Sequence, residues 1–146
     1  MPHARTLAAA LSAKANVAVC PTDTVVRAAV LMAEANCGSA LVLLNGAIVG
    51  LINERDILMR IVARNLDPMT TPVDSVMRRR PVCAHAEMSV PHALYTMKEL
   101  GFRHFPVIGS GDKPLGVFSP QDAFFDELLL ASDLVHSKEK IAKAPP

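Results

Sequence analysis

Two short segments of the sequence place a polar side chain three residues before an aspartate, directly after an apolar run. They are Asn53 to Asp56 and Ser119 to Asp122, and Pro120 is the second residue of the latter. This spacing is typical of a capping box, in which the polar side chain and the acid bond the free amide groups at a helix start. Capping alone explains both segments. A carboxylate in this position can also accept hydrogen bonds from a ligand, so both segments are candidate binding residues.

The basic residues form only two short groups, Arg78-Arg79-Arg80 and Arg103-His104. The formal net charge is +1, and no long basic stripe is interleaved with aromatic residues. Nucleic-acid binding through Arg78 to Arg80 and Arg103 is therefore the least favoured hypothesis. A solvated turn explains at least two of the three arginines in the run, whereas a surface role and phosphate binding are equally compatible with Arg103 and His104.

Residues that would support catalysis or a structural metal do not form a recognisable motif. The three cysteines contain no CxxC pair, and the five histidines are scattered. This pattern argues against a disulfide framework and a zinc site. The Gly-x-Ser-x-Gly, Walker and His-Glu-x-x-His patterns are also missing from the sequence. We therefore predict a binding protein, not an enzyme, with no metal and no catalytic cofactor.

Composition and hydropathy indicate a soluble globular protein. The chain has 146 residues, of which 51% are hydrophobic and 20% are charged. Its longest apolar runs have the length of strands, well below the roughly 20 residues of a membrane helix. Residues 1–15 lack the continuous apolar centre of a secretory signal. The expectation is a cytoplasmic protein without membrane association.

The candidate residues occupy matching places in an internal repeat. Residues 17–56 align with residues 82–122, and the only irregularity is one extra residue in the second copy before Gly116. A repeat of this length indicates two copies of a small unit that share a core. The predicted parts are a first copy with an N-terminal helix (6–66), a proline-bounded linker (67–77), a second copy (78–135) and a flexible tail (136–146).

Each copy is predicted to follow the element order β-α-β-β-α. In the first copy a short strand (17–19) leads to a helix that residues 21–24 cap and Gly38 ends. Asn45-Gly46, between two apolar runs, predicts a tight type I′ hairpin. A second helix begins near Asn53. Its apolar residues are expected on one face, and they are Ile57, Leu58, Ile61, Val62 and Leu66.

The second copy repeats this order after a helical turn at residues 73–77. Ser89 is positioned to cap its first helix, and Gly101 to end it. The predicted elements are a strand (82–84), a helix (90–100), two hairpin strands (105–108 and 115–119) and a final helix from Pro120 to about Val135.

The tandem arrangement resembles a CBS domain pair, the Bateman module. The similarity is carried by TPVDSVM at residues 71–77, GFRHFPV at residues 101–107 and LGVFSPQD at residues 115–122, and it covers roughly residues 6–135. It implies an α/β fold in which two β-α-β-β-α repeats pack with pseudo-two-fold symmetry. It also implies two clefts between the copies that take adenine nucleotides or S-adenosylmethionine, and it implies a homodimer.

The resemblance assigns roles to individual residues. The expected ribose ligands are Asp122 and Asp56; the expected phosphate ligands are Arg103, His104, Ser119 and Arg80; the expected wall against the adenine consists of Val17, Cys37, Val82 and Asn53. Asn53 departs from the family pattern, which carries Ser or Thr three residues before the aspartate.

The copies differ at these positions, so the two clefts are expected to differ as well. The first cleft would contain Ser119, Asp122 and Val17, and the second would contain Asn53, Asp56 and residues 80–82. We predict that the first cleft is the better nucleotide site.

The predicted function is that of a regulatory module. It would bind an adenosine-containing molecule between the copies and signal to an unidentified effector protein through a conformational change, without catalysis. The alternative is a dimeric interaction scaffold that has no nucleotide ligand.

Overall fold

Two small β-sheets form the framework of the protein. The computed structural model describes residues 4–12 and 14–143. The first sheet has the strand order β1 (Ala18–Val19), β2 (Ser39–Leu44), β3 (Ala47–Asn53) and β4 (Arg78–Arg79). The second has the order β5 (Ala84–His85), β6 (Phe105–Ile108) and β7 (Pro114–Phe118). In each sheet the first strand is parallel to the second, and the other neighbours are antiparallel.

The helices complete the predicted tandem order. Within the described residues they are α1 (Leu7–Leu11), α2 (Val25–Ala35), α3 (Glu54–Ile57), α4 (Val90–Leu100) and α5 (Phe125–Lys143). A π-helical turn (Leu58–Val62) continues α3, and 3₁₀ turns occur at Val73–Ser75, Ser110–Asp112 and Pro120–Asp122. The predicted mixed α/β fold of two β-α-β-β-α repeats is confirmed. In this part of the chain no helix combines the length and the hydrophobicity that crossing a membrane requires.

The structure confirms the predicted hairpin turn of the first copy, the predicted N-caps of α2 and α4 and the predicted end of α4. Asn45 and Gly46 have φ values of 52° and 79°, the left-handed values that a type I′ hairpin needs. Thr24 and Ser89 accept hydrogen bonds from amides in the first turns of α2 and α4. Gly101, with φ of 78°, ends α4.

The end of α2 differs from the prediction. Asn36, not Gly38, adopts the left-handed conformation, with φ of 52°, and its amide bonds the carbonyls of Met32 and Ala33. Asparagine tolerates this conformation better than most residues, so it closes the helix two positions early. Gly38 lies instead beside the cleft described below, close to Glu54 and His104.

The first strand of the second copy begins later than predicted. In the first copy the Leu41 amide donates to the Val17 carbonyl at 2.9 Å. The corresponding residue of the second copy is Pro106, which has no amide hydrogen. That ladder bond cannot form, and β5 covers Ala84–His85, not residues 82–84.

The final helix is also displaced. Pro120–Asp122 form only a 3₁₀ turn, because Ala123 is extended with ψ of 151°. A new helix start follows, in which the Glu127 carboxylate accepts the Phe124 amide at 2.7 Å. α5 then passes the predicted end at Val135 and reaches Lys143, since no glycine or proline intervenes. The rest of the predicted flexible tail, residues 144–146, lies outside the described residues.

The apolar face predicted for the second helix of copy one is largely wrong. Ile61 is buried, but Leu58, Val62 and Leu66 are exposed. The amides of Ala63 and Leu66 bond carbonyls five residues earlier, and this wider π spacing rotates the side chains away from the arrangement of a regular α-helix.

Two hydrophobic cores lie on the two sheets, and each includes a segment that is distant in sequence. The first core contains Val73, Val76 and Met77 from the predicted linker. The second contains Leu7 and Leu11 of α1, which the sequence assigned to the first copy. Backbone bonds from Leu7 to Met88 (2.9 Å) and from Ala8 to Ala86 (3.0 Å) attach α1 there. A third buried cluster of Leu41, Leu51 and Val117 joins the two sheets.

Candidate functional site

Two clefts lie between the copies, and they differ greatly in volume. The open cleft has a volume of about 360 Å³ and lies between the start of α3, β4 and the loop between α4 and β6. The closed cleft has a volume of about 10 Å³ and lies between residues 14–17, β2 and β7. Leu51 lines the open cleft, and Leu41 and Val117 line the closed one, so the third apolar cluster separates them.

The start of α3 forms one wall of the open cleft. The Asn53 Oδ1 atom accepts the Asp56 amide at 2.8 Å, and Asp56 Oδ2 accepts the Asn53 amide at 3.1 Å. This is the predicted capping box. It fixes the backbone from which Glu54 and Arg55 extend toward the cleft.

Arg78 covers the Asp56 carboxylate. Only 1% of the Asp56 side chain is exposed, and its Oδ1 atom accepts a hydrogen bond from Arg78 Nε at 3.2 Å. Arg60 Nε lies 4.0 Å from the same oxygen. Arg78 is held there because β4 pairs with β3 and sets Arg78 opposite Leu51. Since 49% of its side chain is exposed, the guanidinium, not the carboxylate, faces the open cleft.

The opposite wall belongs to the second copy. Gly101 turns the chain after α4, and Phe102 packs edge-on against Phe105 with ring centroids 5.1 Å apart. This packing anchors the loop and leaves Arg103 exposed beside the cleft, with His104 half-buried next to it. Val82, which is exposed, adds an apolar surface.

Burial lowers the pKa of His104 because the surroundings favour the neutral imidazole, although the nearby Glu54 carboxylate acts in the opposite direction. Gly38 permits this close arrangement. A Cβ atom at residue 38 would lie 3.2 Å from Glu54 Oε1 and 3.4 Å from His104 Nε2. Glu54 of the first copy and His104 of the second copy therefore lie close together beside Gly38.

The charges in the open cleft suit an anionic ligand. Three arginines line it, Arg55, Arg78 and Arg103, against the single carboxylate of Glu54. Guanidinium groups bind phosphate oxygens through paired hydrogen bonds. Apolar side chains lie beside them and can contact a flat aromatic base. Among the described residues no three His, Cys, Asp or Glu side chains are grouped as metal ligands.

The closed cleft is filled by the chain itself. Lys14 Nζ donates to Asp122 Oδ2 at 2.7 Å and to the Val117 carbonyl at 2.8 Å. Asn16 Nδ2 donates to the Leu115 carbonyl at 3.0 Å. The same Asp122 oxygen also accepts the Ser119 amide at 2.8 Å and lies 3.3 Å from the Ser119 hydroxyl. The carboxylate expected to meet a ribose is thus already bonded within the chain.

The structure distributes the predicted ligand residues between the two clefts. Asn53, Val82, Arg103 and His104 line the open cleft, Val17 and Cys37 line the closed one, Ser119 and Asp122 are bonded beside the closed one, and Asp56 is buried beneath Arg78. The cleft that the sequence predicted as the better nucleotide site is the closed one, which has much the smaller volume. Lys14 lies in this cleft and bonds Asp122, although no sequence motif identified it.

Arg80 does not line either of these clefts, and Arg78 takes the expected position. Arg80 has φ of 49° and is exposed beyond the end of β4. Side chains alternate along a strand, so Arg78 and Arg79 point to opposite faces. Recognition of residues 78–79 as a strand would have indicated Arg78. Glu54, Arg55 and Phe102 were also missed, although each is adjacent in sequence to a predicted site residue.

The chain belongs to the CBS domain family. The family model for the CBS domain matches residues 8–63 and 73–125, one match for each copy. A CBS domain-containing protein of Arabidopsis thaliana is 40% identical over 90 residues, which cover 62% of this chain and 16% of the plant protein. The match thus spans about a sixth of the length of that relative.

Solved structures show the same fold. A CBS domain protein from Pyrobaculum aerophilum in complex with AMP has a TM-score of 0.77 and 25% identity, with 88% of this chain and 99% of that chain covered. A protein with CBS domains from Burkholderia ambifaria has a TM-score of 0.73 and 28% identity, with 90% of this chain and 95% of that chain covered. These similarities confirm the predicted CBS pair.

Proposed function

We propose that the chain is a regulatory module that binds an adenosine-containing ligand with a phosphate group in the open cleft. The observation that carries this proposal is the set of three arginines around a cavity of about 360 Å³, a volume within the range of small-molecule sites. The AMP bound to the Pyrobaculum aerophilum protein, which has the same fold, supports the ligand class.

Phosphate oxygens would bind Arg103 and Arg78, and the adenine would contact Val82. Arg78 is central because it already neutralises Asp56. A phosphate that attracts the Arg78 guanidinium would release Asp56 Oδ1, which could then accept the ribose hydroxyls as the family pattern suggests. Ligand binding would in this way change the contacts between β4 and the start of α3, and this change is the signal to an effector protein.

The module would act without catalysis. Asp56 and Asp122 are the acids at corresponding places in the repeat, and each is bonded to a cationic side chain and to a backbone amide. These bonds suit binding and capping, whereas a catalytic acid and base require different environments.

Thermal unfolding with AMP, ADP, ATP, NAD and S-adenosylmethionine tests the proposal. A ligand present at about 100 times its Kd should add about 2.7 kcal/mol to the free energy of unfolding. S-adenosylmethionine, which carries no phosphate, should stabilise less than the nucleotides. If none of the five compounds raises the Tm, the proposed function is wrong.

The alternative function, a dimeric scaffold, is supported by a different observation. Exposed apolar side chains occur on the π-helical turn after α3 and at the start of α5, and they are Leu58, Met59, Val62, Phe124, Phe125, Leu128 and Leu129. Such surfaces are unusual on monomers and typical of interfaces. A homodimer would cover them with or without a nucleotide.

A further inference from the structure

Residues 14–17 close the second cleft through contacts on two sides. On one side Lys14 and Asn16 bond the carbonyls of Val117 and Leu115 on β7. On the other side the Cys37 thiol donates to the Ala15 carbonyl at 3.2 Å. The segment is packed closely as well, because a Cβ atom at Gly116 would overlap the Asn16 side chain.

Lys14 is the strongest of these contacts. Its ammonium group bonds both Asp122 and a backbone carbonyl, and only 21% of the lysine side chain and 17% of the aspartate side chain are exposed. A charge-assisted hydrogen bond in a partly buried site is stronger than a neutral bond at the surface. The lysine therefore holds residues 14–17 against β7.

The open cleft has a comparable ion pair but does not close. Arg78 bonds Asp56 there, yet 49% of its side chain is exposed and a cavity of about 360 Å³ remains beside it. Arg78 donates to Asp56 through one nitrogen at 3.2 Å, whereas Lys14 bonds two acceptors at shorter distances. The same kind of pair thus leaves one cleft open and the other shut.

We propose that Lys14 is the residue that limits this chain to one bound ligand. Its ammonium occupies the Asp122 carboxylate and keeps residues 14–17 over the second cleft, so only the open cleft accepts a nucleotide. Removal of the Lys14 and Asn16 side chains from this cleft would create a second site related to the first by the pseudo-two-fold symmetry. The proposal rests on the proposed function for its ligand, but the closure itself can be measured without one.

Isothermal titration with AMP and with adenosine measures the number of sites. Adenosine is the probe for the second cleft, because no arginine among the described residues lines that cleft to bind a phosphate. The test variant is Lys14→Ala combined with Asn16→Ala, which removes the three side-chain bonds from this segment to β7 and Asp122. The matched control is Lys113→Ala, an exposed lysine in the turn before β7. We expect one adenosine per chain for the wild type and the control, and two for the double variant. Two sites in the wild type, or one site in the double variant, would overturn the proposal.

Alkylation of cysteines by iodoacetamide gives an independent measure of closure. Cys37 lines the closed cleft, whereas Cys20 is exposed and serves as the internal reference. We expect the rate at Cys37 relative to Cys20 to rise several-fold in Lys14→Ala and in the double variant, but not in Lys113→Ala. An unchanged rate at Cys37 shows that Lys14 does not hold the cleft closed. The milder single variant keeps this test available if the double variant does not fold.

The two proposals can fail separately. If neither AMP nor adenosine binds to the wild type or to the double variant, the proposed function is wrong, and so is the proposed limit of one ligand per chain. The closure by Lys14 is then judged by the alkylation rate alone. If the wild type binds one adenosine and the double variant also binds one, only the role of Lys14 is wrong.

Discussion

Arg103 offers the cleanest test of ligand binding at the scale of one residue. It lines the open cleft and is exposed, with no side-chain hydrogen bond among those identified in the described residues. Arg78, by contrast, also neutralises the buried Asp56, so its removal would change stability as well as binding. A change at residue 103 therefore separates the two effects.

We expect Arg103→Ala to weaken ATP binding by about ten- to a hundred-fold, because a hydrogen bond to a charged group contributes roughly 1.5–3 kcal/mol. The free energy of unfolding should change by less than about 0.5 kcal/mol. Isothermal titration and urea unfolding measure the two quantities. Arg64→Ala, an exposed arginine outside the cleft, is the control. Equal affinities for the two variants would mean that phosphate does not bind at Arg103.

His104 is expected to make the free energy of unfolding depend on pH. Burial holds the pKa of His104 below its ordinary value of about 6.5. Just below about pH 6.5, His104 therefore binds a proton more readily in the unfolded chain than in the folded chain. The free energy of unfolding falls as the pH drops through this range. We expect His104→Gln to reduce this loss between about pH 7.5 and 5.5. Urea unfolding at several pH values measures it; parallel curves for wild type and variant would contradict the expectation.

At the scale of elements, α1 is the part whose position the repeat did not indicate. Leu7 is fully buried in the second core, although α1 precedes the first copy in sequence. We expect Leu7→Ala to lower the free energy of unfolding by about 2–5 kcal/mol. Leu44→Ala, at an exposed strand end, should have a far smaller effect and is the control.

A double-mutant cycle locates α1. Leu7→Ala should couple with Val90→Ala in the second core by at least about 0.5 kcal/mol, and should be additive with Val25→Ala in the first core. The opposite pattern would place α1 with the first copy.

At the scale of the whole molecule, the exposed apolar side chains predict self-association. We expect a dimer at micromolar concentration, because burial of such surface contributes about 25 cal/mol per Å². Val62→Asp and Leu129→Asp should each shift the mass in light scattering toward the monomer. Val30→Asp changes another exposed valine, on α2, and should leave the mass unchanged. A monomeric wild type would remove the support for the scaffold function.

The sequence by itself determined the repeat, the order of elements and most of the helix and hairpin signals. These features depend on neighbours: Asn45-Gly46 specifies its turn, and Asn53 with Asp56 forms the capping box across three residues. The resemblance that identified the family follows from the same local patterns. Two predicted element boundaries were wrong for local reasons. Asn36 ends α2 before Gly38, and Pro106 lacks the amide that would extend the pairing of β5 toward residue 82.

Only the tertiary structure decided which cleft is open. The sequence contains the same capped aspartate twice, and it favoured the copy with Ser119. The two aspartates bond different cations: Lys14 lies over one hundred residues from Asp122 along the chain, and Arg78 on β4 reaches Asp56 from 22 residues further along. Spacing along the chain carries no record of such partners, because they are set by how the two copies pack.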